Sequence, residues 1–377
     1  MRVAVLHASA GHGHTQVAES VREGLLAAGL PAKELIFFDV LDETPAWFKK
    51  FYTAGYYHSV KCLPASWGAV FHFSDHPLVY RILGRPLRHW VNNGVGGGLV
   101  RRILKEKPDA IINTHFLAPE LLGRWKKSGG LSSFLLTVVT DYYPHSFWIN
   151  PGTDHYWVMS QETKEVLISR GVEAGRITAG GIPIALKFHP KGQKEEIRRR
   201  EGLDQNRLTL LLTSGSFGLG PLSQVLDGVR DFSEKVQAIV VCGRNEEQKK
   251  TLQAKGFPFP VKVYGFVSNM DELMEASDLV VAKPGGSTAT ESLAKGVPMV
   301  VLDPIPGQET GNADLLKARN ASFVLGEPSD IRTLLKGIFD YPSVLEEKKR
   351  NIARLAKPEA STELAQFIIQ QLKPVPS

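Results

Sequence analysis

Leu279-Val280-Val281-Ala282, then Lys283-Pro284-Gly285-Gly286-Ser287-Thr288, then a helical segment from Ala289 to Lys295, is the stretch that decides the fold. A short apolar run, a glycine-paired turn and a helix in that order are the repeating unit of an α/β sandwich. Apolar runs closed by turns suit parallel strands covered on both faces. Outward from this unit the pattern recurs. Leu208 to Thr213, Ala238 to Val241, Val261 to Tyr264 and Pro298 to Leu302 predict strands. Asp271 to Ala276 and Asn312 to Arg319 predict helices.

An earlier series of the same kind opens the chain. Val3-Ala4-Val5-Leu6 leads into the turn Ala10-Gly11-His12-Gly13-His14 and a helix carrying Val17, Val21 and Leu25. Glu34 to Phe38, Ala110 to Asn113, Phe134 to Val139 and Tyr156 to Met159 continue it as strands. The breakers from Gly180-Gly181-Ile182-Pro183 to Pro190-Lys191-Gly192 read as a linker. The expected architecture is α/β, two Rossmann-like domains facing across a cleft, with ligands at the carboxyl ends of the strands. The first domain spans 1–185 and the second 190–357, with a C-terminal helix within 358–377 packing back on the first.

The chain has 377 residues, 43% of them hydrophobic and 22% charged, enough for two cores and too apolar for wholesale disorder. Cys62 and Cys242 stand 180 positions apart, which argues against a disulfide scaffold or a cysteine zinc site. No secretory signal and no apolar run long enough to span a bilayer are visible, so a soluble, cytoplasmic protein is expected. The net charge is +6, but residues 46–105 hold nine Lys/Arg against one acid, Asp75. That local field favours an anionic surface. Within it, residues 46–76 carry nine of the chain's 33 aromatics. Trp47, Phe48, Phe51 and Tyr52 fall at i, i+1, i+4, i+5 beside Lys49 and Lys50, which predicts an apolar face docking on an anionic membrane. The alternative is ordinary core beneath a long excursion of the first domain.

Four clusters could carry chemistry. Gly285 and Gly286 let backbone N–H groups approach a ligand, and the following helix N-terminus adds partial positive charge, which together suit a diphosphate. Ser287 and Thr288 open that helix, and Glu291 is placed to accept from a ribose diol; alternatively Ser287 is an N-cap and Glu291 is solvated. Asp303-Pro304-Ile305-Pro306-Gly307-Gln308-Glu309, with Asn312, puts polar side chains behind two prolines, a rigid loop fit for sugar hydroxyls or merely a surface turn. Gly215, Ser216 and Phe217 form a weaker glycine loop. In the first domain, Gly13 and His14 begin a helix whose dipole disfavours imidazolium, leaving the ring able to take a proton. His12 and His14 stand at i, i+2 without a third ligand nearby, which disfavours a metal pair. Asp141, after a strong strand, is either a cleft acid or a turn cap.

Taken in order, these motifs resemble the processive diacylglycerol glucosyltransferases and monogalactosyldiacylglycerol synthases, relatives of the lipid-linked N-acetylglucosaminyltransferase of peptidoglycan synthesis. The resemblance rests on Ala10 to His14, Asn113-Thr114, Thr140-Asp141, Gly181-Ile182-Pro183, Lys283 to Gly286 with Glu291, and Pro306 to Glu309 with Asn312. It implies a GT-B fold, a UDP-sugar such as UDP-glucose or UDP-galactose on the second domain, and a diacylglycerol-type lipid entering at the first. It further implies His14 as general base, Glu291 on the ribose, Gln308 and Glu309 on the sugar, and the backbone of Gly265, Phe266 and Val267 facing uracil. The reaction would be inverting and give a β-glycoside, on the inner face of the cell membrane. No D-x-D triplet occurs, so no cofactor and no metal are expected.

Rival readings of the same architecture are a UDP-N-acetylglucosamine transferase acting on a polyprenyl-linked lipid, a nucleotide-sugar 2-epimerase and a non-catalytic sensor. An epimerase has no use for an aromatic, basic flap, and a sensor loses nothing on His14→Ala. No nucleic-acid-binding motif accompanies the basic stretch.

Overall fold

The computed structural model describes residues 1–9, 11–62, 64–76, 79, 94–213, 215, 220–307 and 309–373. The chain divides into two compact units, Met1–Leu186 with Pro306–Gly311 and Lys357–Ser377, and Lys187–Ile305 with Asn312–Ala356.

The first unit is built on a parallel sheet of β1 (Val3–His7), β2 (Leu35–Asp39), β3 (Ala110–Asn113), β4 (Phe134–Val138), β5 (His155–Val158) and β6 (Ile177–Ala179). Their order is β2-β1-β3-β4-β5-β6. All five residues of β1 and all four of β3 are buried, as continuous apolar strands under helices must be. The order reverses between β1 and β3, so the loops leaving these two strands part to opposite faces and open a crevice at their carboxyl ends. The helix Ala360–Gln371 packs on the helix His12–Ala27 of this same unit.

The second unit has β7 (Leu208–Thr213), β8 (Val236–Val241), β9 (Val261–Tyr264), β10 (Leu279–Ala282), β11 (Met299–Val301) and β12 (Ser322–Val324). They lie in the order β12-β11-β10-β7-β8-β9, all parallel, with the reversal between β7 and β10. Leu210, Leu212, Val240, Val281 and Val300 are fully buried at its centre.

Two departures from expectation concern short or interrupted elements. The sheet strands β6 and β12 have three residues each and no apolar run to announce them. The turn Pro306–Gly311 belongs with the first unit, which corrects a boundary drawn straight through to residue 357. Its backbone packs against Phe71 and Tyr143 of that unit. Among the described residues no helix is long and apolar enough to cross a membrane.

Candidate active site

His14 sits in the first turn of the helix His12–Ala27, directly after β1. Because β1 and β3 flank the switch point, the loop leaving β3 reaches it from the other side. The Nδ1 of His14 lies 2.8 Å from the Thr114 carbonyl oxygen, which can only accept, so Nδ1 carries the proton. Thr140 Oγ1 lies 3.1 Å from the same nitrogen, and Thr114 Oγ1 donates to the His14 carbonyl at 2.9 Å. With the tautomer fixed in this way, Nε2 presents its lone pair. Burial pushes the ring's pKa down to about 4, opposed by the Thr114 carbonyl and helped by His7 nearby. Desolvation thus leads the causes of a neutral His14, where the sequence had pointed to the helix dipole. His12 is exposed, and Gly13 is half-buried beside it.

Asp141 follows β4 and accepts from Trp148 Nε1 at 2.9 Å; burial raises its pKa to about 6. Trp148 is buried, with its ring centroid 6.1 Å from that of His14. Asp141 therefore fixes the Trp148 ring beside that of His14. His115 meets His14 edge-on at 4.6 Å. Thr114, Thr140, His115 and Trp148 received no role from sequence. Thr114 and Thr140 lie 100 and 126 positions from His14, and only the strand order brings them together.

In the second unit the turn after β10 leads into the helix Gly286–Ala294, with Gly285 as its N-cap. Ser287 is not the cap; buried, it donates to Glu291 Oε1 at 3.2 Å. Glu291 is 7% exposed, and burial lifts its carboxyl to about 7, with the Ser287 hydroxyl pulling the other way. This overturns the solvated alternative for Glu291. Thr288 is half-buried on the same turn. Asn312, 1% exposed, donates from Nδ2 to the Pro284 carbonyl at 2.8 Å and so braces the glycine turn from behind. Lys283 pairs with Asp303 at 2.8 Å, tying the loop after β10 to the one after β11.

Gly215 takes a left-handed φ of +70° just past β7, the other strand at the switch point. Ser216, Phe217 and Gln308 lie outside the described residues. Glu309 is half-buried in the turn Pro306–Gly311. Gly265, Phe266 and Val267 follow β9; Phe266 is 60% exposed, with the Arg244 guanidinium 6.0 Å from its ring.

The aromatic segment forms two helices, Ala46–Cys62 and Pro64–Asp75. Trp47 and Phe51 are exposed at 63% and 71%, and Lys50 is exposed beside them. Phe48 is the correction: at 4% exposure it belongs to the core with Leu41 and Leu99, and Tyr52 packs against the same cluster. Neighbours in a helix are turned by about 100°, so positions 47 and 51 face out when 48 and 52 face in. Lys49 pairs with Asp42, and that hydrogen bond raises its pKa.

A family model described as monogalactosyldiacylglycerol (MGDG) synthase matches residues 14–184, and one for the glycosyltransferase family 28 C-terminal domain matches residues 209–364. A processive diacylglycerol beta-glucosyltransferase of Staphylococcus epidermidis is 30% identical over 87% of this chain and 82% of its own length. Its namesake from Bacillus thuringiensis is 29% identical over 98% and 94%. Among solved structures, Acinetobacter baumannii MurG shares the fold at a TM-score of 0.63, with 15% identity over 98% of this chain and 99% of that one. The UDP-GlcNAc 2-epimerase of Neisseria meningitidis bound to UDP-GlcNAc shares it at 0.62, with 13% identity over 98% and 100%.

Proposed function

This chain belongs to the processive diacylglycerol β-glucosyltransferase family of GT-B glycosyltransferases, and we propose that it moves a hexose from UDP-glucose or UDP-galactose onto a diacylglycerol-type lipid, with inversion to a β-glycoside. The observation that carries this reading is the tautomer of His14. An Nδ1–H committed to the Thr114 carbonyl leaves Nε2 unprotonated at neutral pH, the state a general base needs.

In the proposed reaction His14 Nε2 takes the proton of the lipid hydroxyl. The oxygen bonds to the anomeric carbon as the bond to the diphosphate breaks on the opposite face. The departing UDP keeps the electron pair, and its charge is met by the N–H groups of Gly285, Gly286 and Ser287 at the N-terminus of a nine-residue helix. That stabilisation calls for no divalent metal. Glu291 accepts from the ribose hydroxyls, Gln308 and Glu309 hold the hexose, and the backbone after β9 borders the uracil. Asn312 keeps the glycine turn in shape through Pro284.

The acceptor is a membrane lipid, so the protein works as a peripheral protein on the inner face of the membrane. Trp47, Lys50 and Phe51 supply the contact, two aromatic rings at headgroup level and a cation on an anionic surface.

The test is transfer of label from UDP-glucose, UDP-galactose and UDP-N-acetylglucosamine to diacylglycerol in phosphatidylglycerol vesicles, with the anomeric linkage read by NMR. A β-linked hexolipid is expected from one of the first two donors. Label only from the third moves the assignment to an N-acetylglucosaminyl transfer. No labelled lipid from any donor, or a His14→Ala variant as active as wild type, overturns the mechanism.

A further inference from the structure

The helix Pro64–Asp75 has an outer and an inner face. Outward, Val70 and Phe73 are exposed, three residues apart. Inward, Gly68 is buried and Phe71 half-buried, and both meet the turn Pro306–Gly311 within the first unit. A Cβ on Gly68 would stand 2.7 Å from the Cβ of Pro306, whose ring fixes its own backbone and cannot swing aside. The Phe71 ring lies where a Cβ on Gly307 would come within 2.7 Å of its Cδ1. Gly307 also has a left-handed φ of +83°, and its N–H donates to Thr310 Oγ1 at 3.2 Å to close the turn. At the far end Gly311 has no room for a Cβ beside Tyr143, which would be 2.6 Å away. The turn is thus gripped at Pro306, Gly307 and Gly311.

The gripping helix is itself anchored. Arg170 donates to both carboxylate oxygens of Asp75, Nη1 to Oδ1 at 2.8 Å and Nη2 to Oδ2 at 2.8 Å. Ser146 adds its N–H at 2.7 Å and its hydroxyl at 3.0 Å to Oδ1. The side chains of Asp75 and Arg170 are 14% and 11% exposed, so this forked pair is held far more firmly than a surface ion pair. The His145 Nδ1 accepts from the Phe147 N–H at 3.0 Å, which leaves Nε2 to donate to the Phe71 carbonyl at 3.0 Å. The only acid in the basic stretch therefore serves as the anchor of this helix.

We propose that the helix Pro64–Asp75 positions the turn that holds the donor's sugar, with Gly68 and Phe71 as positioning residues that set where Glu309 stands. The inference rests on the reading that this turn holds the hexose. Neither residue touches the donor; each acts through the backbone of Pro306 and Gly307. A displacement of about 1 Å in a substrate-positioning group is enough to cost on the order of a hundredfold in rate.

The experiment measures KM and kcat for UDP-glucose on diacylglycerol vesicles, and separately Kd for UDP, which has no hexose, using the full chain. Gly68→Ala should raise KM for UDP-glucose about tenfold or more with Kd for UDP unchanged, and Phe71→Leu should move it in the same direction by less. Val70→Ser and Phe73→Ser, on the outer face, should leave both constants at wild-type values. An unchanged KM in Gly68→Ala and Phe71→Leu overturns the proposal, as does equal weakening of UDP and UDP-glucose. If Gly68→Ala does not fold, Phe71→Leu decides alone. Glu309→Ala separates the two levels. If it leaves KM and kcat unaltered, the sugar-holding reading of the turn fails. If it raises KM while Gly68→Ala and Phe71→Leu do not, the positioning role alone fails.

Discussion

Binding of UDP-glucose should release a proton from Glu291, and the affinity should follow the pH through neutrality. Burial lifts the Glu291 carboxyl to about 7, so at pH 7 about half the free protein carries it protonated. A ribose diol donates, and the ionised carboxylate is the form that accepts from both hydroxyls. If only that form binds, the competent fraction is roughly 0.1 at pH 6 and roughly 0.9 at pH 8, so Kd falls about tenfold over that span. Both phosphates of UDP-glucose are esterified, which removes the second phosphate ionisation near pH 6 that free UDP would add. Calorimetry at pH 6, 7 and 8 in buffers of different ionisation enthalpy reads both quantities, and proton release should drop from about 0.9 to about 0.1 per ligand. Glu291→Gln should bind more weakly, with no slope. The same burial acts on stability with a definite sign. The unfolded carboxyl loses its proton near 4.5 and the folded one near 7, so between those values the folded state holds the extra proton and stability falls as pH rises. By pH 8 the ionised Glu291 costs on the order of 3 kcal/mol that Glu291→Gln escapes, and the two proteins converge toward pH 4.5. A flat pH profile in wild type, or a slope that survives in Glu291→Gln, refutes the ribose contact.

His14→Ala should lower kcat by about 10²–10⁴-fold at unchanged Kd for UDP-glucose, and in wild type the acid limb of kcat at saturating UDP-glucose, where Glu291 is already ionised, should fall near pH 4 rather than at the usual histidine value. Trp47→Ser with Lys50→Glu and Phe51→Ser should abolish co-sedimentation with phosphatidylglycerol vesicles at wild-type Tm. Phe48→Ala, by contrast, should cost about 3–5 kcal/mol of stability, because its ring is core; sedimentation by the triple variant, or a Phe48→Ala that melts like wild type, contradicts the division of faces. Chelation with EDTA should leave transfer to vesicles intact, and loss of activity restored by magnesium would overturn the helix-terminus account of the leaving group.

The strands that carry the site were legible because each is an apolar run closed by a turn, and β1, β3, β7 and β10 fall where the runs do. Strand order was not, since nothing in the composition of β3 says that it lies beside β1. The His14 environment depends on that order alone: Thr114 follows β3 and Thr140 follows β4, and their contacts with Nδ1 come from loops that share one end of the sheet. The sequence identified the histidine and missed what fixes its tautomer. In the aromatic segment the spacing of Trp47, Phe48, Phe51 and Tyr52 identified a helix, but an amphipathic pattern with aromatics on two adjacent faces does not say which face is covered.

Ser287 and Glu291 show why burial was the decisive missing quantity. A serine one residue into a helix and an acid four residues later are compatible with a cap and a solvated side chain. They are equally compatible with a hydroxyl donating to a buried carboxylate, because the i, i+4 spacing puts both on one face in either case. What separates the two is whether that face looks to water or to protein. Here it looks to protein, and Ser287 supplies a hydrogen bond that partly offsets the desolvation of Glu291. Desolvation outweighs the Ser287 hydroxyl, the described side-chain donor to this acid, which is why its carboxyl holds a proton near neutrality. In the proposed complex the ribose diol would supply further donors. The proton that burial leaves on Glu291 must depart for that contact to form, so burial tempers the affinity at and below pH 7, and proton release on binding of UDP-glucose is the measurable trace of that exchange.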